Sequence, residues 1–252
     1  MTGTLRRGPG LGPFLRLSPT PSRRRLTTVL VVLTLLAAAA VWYLNRDRSD
    51  DPASLDQSYL AGARGPACLR LVIGMDVSGS MTDYSAARNQ ALEQFVRWAG
   101  QPNTLRPNDE VAIVDFAFNA VVRSPPRPAR QTVNLAPGGV TDGNSTLLTP
   151  LLDRLGAMPA TRCDKAVVLL SDAQLQDTPT DERAGDALLD RYGVHDVRLL
   201  VPSAHIDVPT QWATAFPTAQ PTVFDGMDPD STALAFGRTV AGLVGQQLKG
   251  RT

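Results

Sequence analysis

An α/β fold with a largely parallel sheet, preceded by one transmembrane helix, is predicted by two features of the sequence. From residue 69 onward, apolar runs of strand length alternate with segments whose apolar residues recur at helical spacing. Ahead of them, residues 26–44 (LTTVLVVLTLLAAAAVWYL) run for nineteen positions without a charge, directly after Arg23, Arg24 and Arg25. The chain of 252 residues has room for one domain of ordinary size plus an appendage. A hydrophobic fraction of 43% beside a charged fraction of 19% suits a folded core rather than a disordered chain.

The 26–44 segment, as a helix rising 1.5 Å per residue, is roughly 28 Å long, about the thickness of a bilayer's hydrocarbon core. Trp42 and Tyr43 stand at its far end, where amphipathic rings favour the membrane interface. Arg46 and Arg48 follow, but Asp47, Asp50 and Asp51 accompany them. The positive-inside bias therefore assigns residues 1–25 to a basic cytoplasmic tail and everything after about residue 45 to the outside. A cleaved signal peptide is the competing reading, since Ala38 to Ala40 offers a small-residue processing site. Both readings export the rest of the chain. Residues 45–66 are polar and contain Pro, Gly and Asp, and read as a short linker.

Within 67–250, residues 69–75 (LRLVIGM), 110–118 (EVAIVDFAF), 166–170 (AVVLL), 197–201 (VRLLV) and 222–224 read as strands. Helices are expected over 84–99, with Ala87, Ala91, Phe95 and Trp98 on the buried face, over 147–158 with Pro150 in the first turn, and over 181–192. A last amphipathic helix is expected over 233–248, capped by Asp230 or Ser231. The Pro- and Arg-rich stretch 121–135 reads as a loop with a short edge strand.

The net charge of +1 averages two unlike pieces. Residues 1–44 hold six arginines and no acidic residue, which leaves 19 basic and 24 acidic groups, a net of −5, for the remainder. A mildly acidic domain lacks the basic face that nucleic-acid binding needs. Cys68 and Cys163 form no CxxC pair, and with only two histidines a zinc site is disfavoured.

The chemistry is concentrated in Asp76-Val77-Ser78-Gly79-Ser80, directly after the first strand of the 67–250 segment. In an open parallel sheet, ligands bind at the carboxyl ends of strands. Gly79 permits a tight turn, so the hydroxyls of Ser78 and Ser80 can face one point beside the Asp76 carboxylate. Converging oxygens of this kind suit a hard cation such as magnesium, with manganese or calcium as alternatives. Capping of the following helix is the plainer role for Asp76 and Ser78, but it leaves unexplained a second aspartate, Asp172, at the end of another strand.

The sequence DVSGS after a hydrophobic strand resembles the DxSxS motif of von Willebrand factor A domains, whose metal ion-dependent adhesion site also uses a threonine and a second aspartate. The resemblance spans about residues 67–250. Ala166 to Leu170 followed by Ser171-Asp172 is similar to the family's strand ending in Ser-Asp, which gives Asp172 that role. Gly143-Asn144-Ser145-Thr146 resembles the family's Gly-x-x-Thr run entering a helix and nominates Thr146, with Thr141, after Gly138-Gly139, as the alternative. The resemblance implies a Rossmann-like, doubly wound sheet and a metal held by Asp76, Ser78, Ser80, Thr146 and Asp172. It also implies a protein ligand that supplies a carboxylate to the metal. Through the family's strand order, which makes the two strands neighbours, it implies a disulfide between Cys68 and Cys163, eight and nine residues before Asp76 and Asp172. An exported domain permits that bond.

Asp225, Asp228 and Asp230 read as turn and cap residues, Asp142 as a solvated loop residue, and His195 and His205 as surface or structural groups. Ser–His–acid, Gly-x-Ser-x-Gly and phosphate-loop patterns are absent, so no enzyme is expected. The expected function is a membrane-anchored, extracytoplasmic binding module, and the Arg/Ala-rich composition points to a bacterial source. The alternative is an accessory subunit of a larger membrane or ATPase-associated assembly.

Overall fold

The computed structural model describes residues 51–131, 135–136 and 145–251, together with Leu33 and Leu36. The chain forms two compact units, Met1–Ser49 and Asp50–Thr252. In the first, Leu33 and Leu36 are helical and exposed, while the 1–25 tail and the remainder of 26–44 lie outside the described residues. Among the described residues no helix is long and apolar enough to cross a membrane.

The second unit starts earlier in the chain than a boundary at residue 67 allows. Within the 45–66 stretch, which reads as linker by composition, Leu55–Gln57 form a 3-10 turn and Ser58–Ala61 form strand β1. Leu55 and Leu60 are buried in the core, which is why this otherwise polar segment is drawn into the fold. Strand β1 pairs antiparallel with the last strand, β8 (Gln247–Gly250), from Ser58↔Gly250 to Ala61↔Gln247.

The main sheet contains β2 (Leu69–Asp76), β3 (Glu110–Phe116), β4 (Ala120–Pro128), β5 (Asp164–Leu170), β6 (Val194–Val201) and β7 (Thr222–Val223). Their order is β4-β3-β2-β5-β6-β7, parallel except for β4 at one edge. Every residue of β2 is buried, as expected for a central strand covered on both faces. Strand β4 is longer than the short edge strand expected, and it holds Pro125, Pro126 and Pro128. Only one side of an edge strand is paired, so those missing N–H groups cost little.

Five helices flank the sheet among the described residues: α1 (Ser85–Ala99), α2 (Thr149–Gly156), α3 (Glu182–Tyr192), α4 (Thr210–Ala215) and α5 (Pro229–Leu243). On one face Leu71, Ile73 and Met75 of β2 pack with Phe95 and Trp98 of α1 and Phe236 of α5. On the other, Val72 of β2 and Val167 and Leu169 of β5 pack with Leu151 and Leu155 of α2 and Trp212 of α4. Alternate residues of one strand thus feed opposite cores, and the sheet is doubly wound.

Three details depart from the sequence reading. The cap of α5 is Asp228, whose carboxylate accepts from the Asp230 and Ser231 amides, because Pro229 opens the helix and has no N–H to be capped. Helix α5 ends at Leu243 rather than 248, since Gly245 takes a positive φ of 68° and the chain turns into β8. Helix α4 has no counterpart in the sequence reading. It is held by Trp212, whose buried indole N–H donates to the Ala219 carbonyl at 2.8 Å.

At the amino edge of the sheet, Cys68 and Cys163 form the expected disulfide, with Cα atoms 4.6 Å apart. They sit one residue before β2 and β5, whose register opens at Leu69↔Asp164, and the Asp164 amide donates to the Cys68 carbonyl. Beside them, buried Asp109 receives both guanidinium nitrogens of Arg64 at 2.6 and 2.7 Å, and the Leu69 and Arg106 amides. The disulfide closes a loop with a sequence separation of 95 residues. Replacing both cysteines by serine is expected to lower the unfolding free energy by about 4 kcal/mol, measured by urea denaturation. Loss of less than about 1 kcal/mol would show that the bond is not restraining the unfolded chain.

Candidate metal centre

Strands β2 and β5 end next to each other at the carboxyl edge of the sheet; Asp76 is the last residue of β2, and Asp172 lies two residues beyond the end of β5. Asp76 is fully buried. Its Oδ1 accepts from the Ser78 amide at 2.9 Å, and its Oδ2 accepts from the Ser171 hydroxyl at 2.6 Å. The first bond closes a tight turn, after which Gly79–Tyr84 form a 3-10 helix. That turn brings the Ser78 and Ser80 hydroxyl oxygens to 3.1 Å from each other, with Ser78 buried and Ser80 exposed.

Asp172 is 5% exposed, and its Oδ1 accepts from the Gln174 amide at 3.0 Å. Between them, Ala173 adopts a positive φ of 59°, uncommon for a residue with a side chain. Thr146, 4% exposed, precedes α2 and is fixed from both sides. Its carbonyl accepts from the Gln176 amide in the loop after β5, and the next amide, of Leu147, donates to the Ala117 carbonyl after β3. Thr141 and Asp142 lie outside the described residues.

Burial pushes the Asp76 carboxyl pKa above the usual 3.8, and the charge of Asp172 pushes it the same way, while the hydrogen bonds from Ser171 and Ser78 oppose both. Among the described residues no ammonium or guanidinium pairs with the Asp76 carboxylate. The nearest cation, Arg88 of α1, donates instead to the Asp76 backbone carbonyl. Its guanidinium is itself destabilised by burial and by neighbouring Arg123, against the pull of Asp115 and Asp76. Two carboxylates are thus brought together beside hydroxyl oxygens, with Arg88 near Asp76 but not bonded to its carboxylate.

Residues 71–174 match the family model of the von Willebrand factor type A domain. The sheet and its helices form an A-type α/β fold with a mainly parallel centre. No curated protein matches the chain. Among solved structures, a von Willebrand factor type A protein from Catenulispora acidiphila is similar at 20% identity and a TM-score of 0.50, covering 75% of this chain and 46% of its own. A mussel byssus protein, proximal thread matrix protein 1 with a zinc-occupied MIDAS motif, is 16% identical with a TM-score of 0.49, covering 77% of this chain and 50% of its own. BatB from Bacteroides thetaiotaomicron is 13% identical with a TM-score of 0.45, over 69% of this chain and 98% of its own. The chain spans about half the length of the mussel proteins it matches.

The donor set fits a hard divalent cation in this A-type fold. Among the described residues no group of three or more His, Cys, Asp or Glu could hold a metal ion. The set at this edge is of another kind, two aspartates with serine and threonine hydroxyls, which suits magnesium better than zinc. Asp76 at the end of β2, Ser78, Ser80 in the 3-10 helix that follows, and Thr146 and Asp172 in loops all lie at this one edge of the sheet.

Three supporting residues escape the sequence reading. Ser171 enters it only as the neighbour of Asp172, yet its hydroxyl binds Asp76 across the β2–β5 pair and also accepts from the Ala173 amide. Asp177 accepts from the Leu148 and Thr149 amides at 2.6 and 2.8 Å, capping α2 from a distant loop and holding the turn that carries Thr146. Arg88 resembles any surface arginine of an amphipathic helix until its burial is known. A polar residue next to a strand-ending aspartate was the one signal available, and it pointed only to Ser171.

The raised pKa of Asp76 has a definite sign in metal-free protein. Folding favours its protonated form, so that contribution is fully present below pH 3.8 and is lost as pH rises through the higher folded-state value. In chelator, the stability of Asp76→Asn relative to wild type is therefore expected to increase as pH rises through this window, measured by urea unfolding at successive pH values. A difference that drifts the other way would contradict the burial cost assigned to Asp76.

Proposed function

We propose that the domain is a divalent-metal-dependent protein-binding module, in which Asp76, Ser78, Ser80, Thr146 and Asp172 hold magnesium and the metal takes a carboxylate from a protein partner. The observation that carries this reading is the buried Asp76 carboxylate, hydrogen-bonded by Ser78 and Ser171 but by no cationic side chain among the described residues, beside Asp172 and the paired Ser78 and Ser80 hydroxyls. A magnesium ion ringed largely by neutral hydroxyl and water oxygens keeps much of its positive charge, so an anionic oxygen from outside completes its shell. The module is non-catalytic. His195 and His205 are exposed, and the hydroxyls beside Asp76 serve as ligands rather than nucleophiles.

The proposal includes a place in the cell. Residues 26–44 anchor the chain in a membrane, residues 1–25 are cytoplasmic, and the domain stands outside. The disulfide supports this reading, since such bonds persist in oxidising compartments.

Magnesium at about a hundred times its Kd is expected to raise the unfolding free energy by about 2.7 kcal/mol, and Asp76→Ala to abolish the increase. Crosslinking pull-downs from membranes with magnesium, with chelator, and with Asp76→Ala test the binding step. Partners are expected only in the first. An identical captured set in all three would remove the metal as the basis of binding.

A further inference from the structure

The second unit exposes three large apolar side chains among its described residues, Phe118, Val223 and Met227, at 51%, 51% and 62%. All three belong to the carboxyl edge of the sheet. Phe118 follows β3, Val223 ends β7 and Met227 lies just beyond it. Among the described residues of this unit, exposed large apolar side chains therefore lie at the edge that bears Asp76 and Asp172, where their desolvation favours binding.

Two of the three border a groove of about 360 Å³, walled by Tyr84, Pro202, His205, Val223, Phe224 and Met227. Tyr84 ends the 3-10 helix that begins at Gly79, within the Ser78–Ser80 turn, so the groove and the candidate metal site share a wall segment. The opposite wall is preformed. The Phe224 and Gly226 amides donate to the Val201 and Pro202 carbonyls, and the Met227 amide donates to Asp225 Oδ1. Gly226 lies so close against Pro202 that a side chain there would collide with it, which locks the two loops together.

The register gives the separation. Met75 pairs with Leu170, Leu170 with Leu200 and Leu200 with Thr222, so the next residues, Asp76 and Val223, share one row of the sheet. They are three strands apart, about 14 Å at 4.8 Å per strand, and an extended peptide covers that distance in about four residues.

We propose that this groove is the second subsite of the partner-binding surface, taking a large apolar side chain three to five positions along an extended segment from the acidic residue that reaches the metal. The inference rests on the metal-binding reading above. The occupant is a polypeptide, because a single segment must present an anionic oxygen to a cation and, one short span away, an apolar group to a walled groove. A carboxylate alone would leave Val223 and Met227 in water; the paired residues bury both. Such two-point recognition selects among the many acidic residues that proteins display, which a metal by itself cannot do.

Panning of the full-length chain, purified in detergent with magnesium, against a phage library of random dodecapeptides tests the inference. Selected peptides are expected to be enriched in Asp or Glu with Leu, Ile, Met, Phe or Trp three to five positions away, and to elute with chelator. A representative peptide is expected to bind Met227→Asp and Val223→Asp at least tenfold more weakly than wild type. Enrichment of acidic residues without a spaced apolar residue, or unchanged affinity in both variants, overturns the groove and leaves the metal reading standing. Peptides without acidic enrichment, together with no effect of magnesium on wild-type stability, overturn the metal reading itself. A dimer that either variant dissociates, seen by light scattering, would assign the groove to a second copy of the chain and overturn the proposal.

Discussion

Because β2 and β5 run parallel and in register from Leu69↔Asp164 to Met75↔Leu170, the residues that enter one strand lie beside those that enter the other, and the residues that leave them are neighbours too. At the amino edge this places Cys68 beside Cys163 and closes a covalent bond. At the carboxyl edge it places Asp76 beside Asp172 and concentrates two buried carboxylates. One end of the strand pair is held by a covalent bond, and the other carries a carboxylate whose charged form is disfavoured chiefly by burial and, to a smaller degree, by repulsion from Asp172. The hydrogen bond from Ser171 to Asp76, across the same strand pair, fixes the carboxylate in place despite that repulsion.

Charge burial elsewhere follows a different rule. Asp109 is matched by a bidentate Arg64 and two backbone amides, and Asp115 by Arg123, whose side chain is as buried as its partner. Buried carboxylates in this domain are therefore given a cation wherever the role is structural. Asp76 is the contrast. Arg88 comes within reach yet spends its hydrogen bond on the Asp76 carbonyl, so the turn is steadied without neutralising the carboxylate. A guanidinium on the carboxylate itself would fill the position proposed above for a metal.

The central strands and the aspartates at their ends were legible because their cause is local. A mostly apolar run such as LRLVIGM is satisfied by burial on both faces, and the strand ends at Asp76, the first acidic residue after it. The helices α1 and α3 were legible as segments, while Asp181, read as the first residue of the second, is its cap. The features that escaped depend on partners far away in sequence. Strands β1 and β8 are four residues each, with too little pattern to announce themselves, and each exists because the other is there. Asp177 lies 29 and 28 residues beyond the Leu148 and Thr149 amides it caps, and Arg88 donates to the Asp76 carbonyl twelve residues before it. Thr146 was readable as one of two threonines, and nothing within its own segment shows that Gln176 and Ala117 hold its turn between them.

The short β1–β8 ribbon matters for more than the boundary of the domain. Gly237 of α5 lacks a side chain where Leu55 and Leu248 approach the helix, so the segments before β1 and within β8 fit against α5 from outside. The same Leu55 packs in the core with Phe95, Trp98 and Phe236, which joins α1 to α5. Helix α5 is consequently fixed at its start by Asp228 and at its end by the turn at Gly245 into a paired strand. Helix α1 begins immediately after the turn that carries Ser78 and Ser80, and Gln94 of α1 donates to Asp230 of α5. A displacement of α5 along its axis would have to break the ribbon, vacate the Leu55 contact and strain α1 at once. Those costs fall on one cooperative core, so the hydroxyls beside Asp76 are held by packing that extends to both ends of the folded domain.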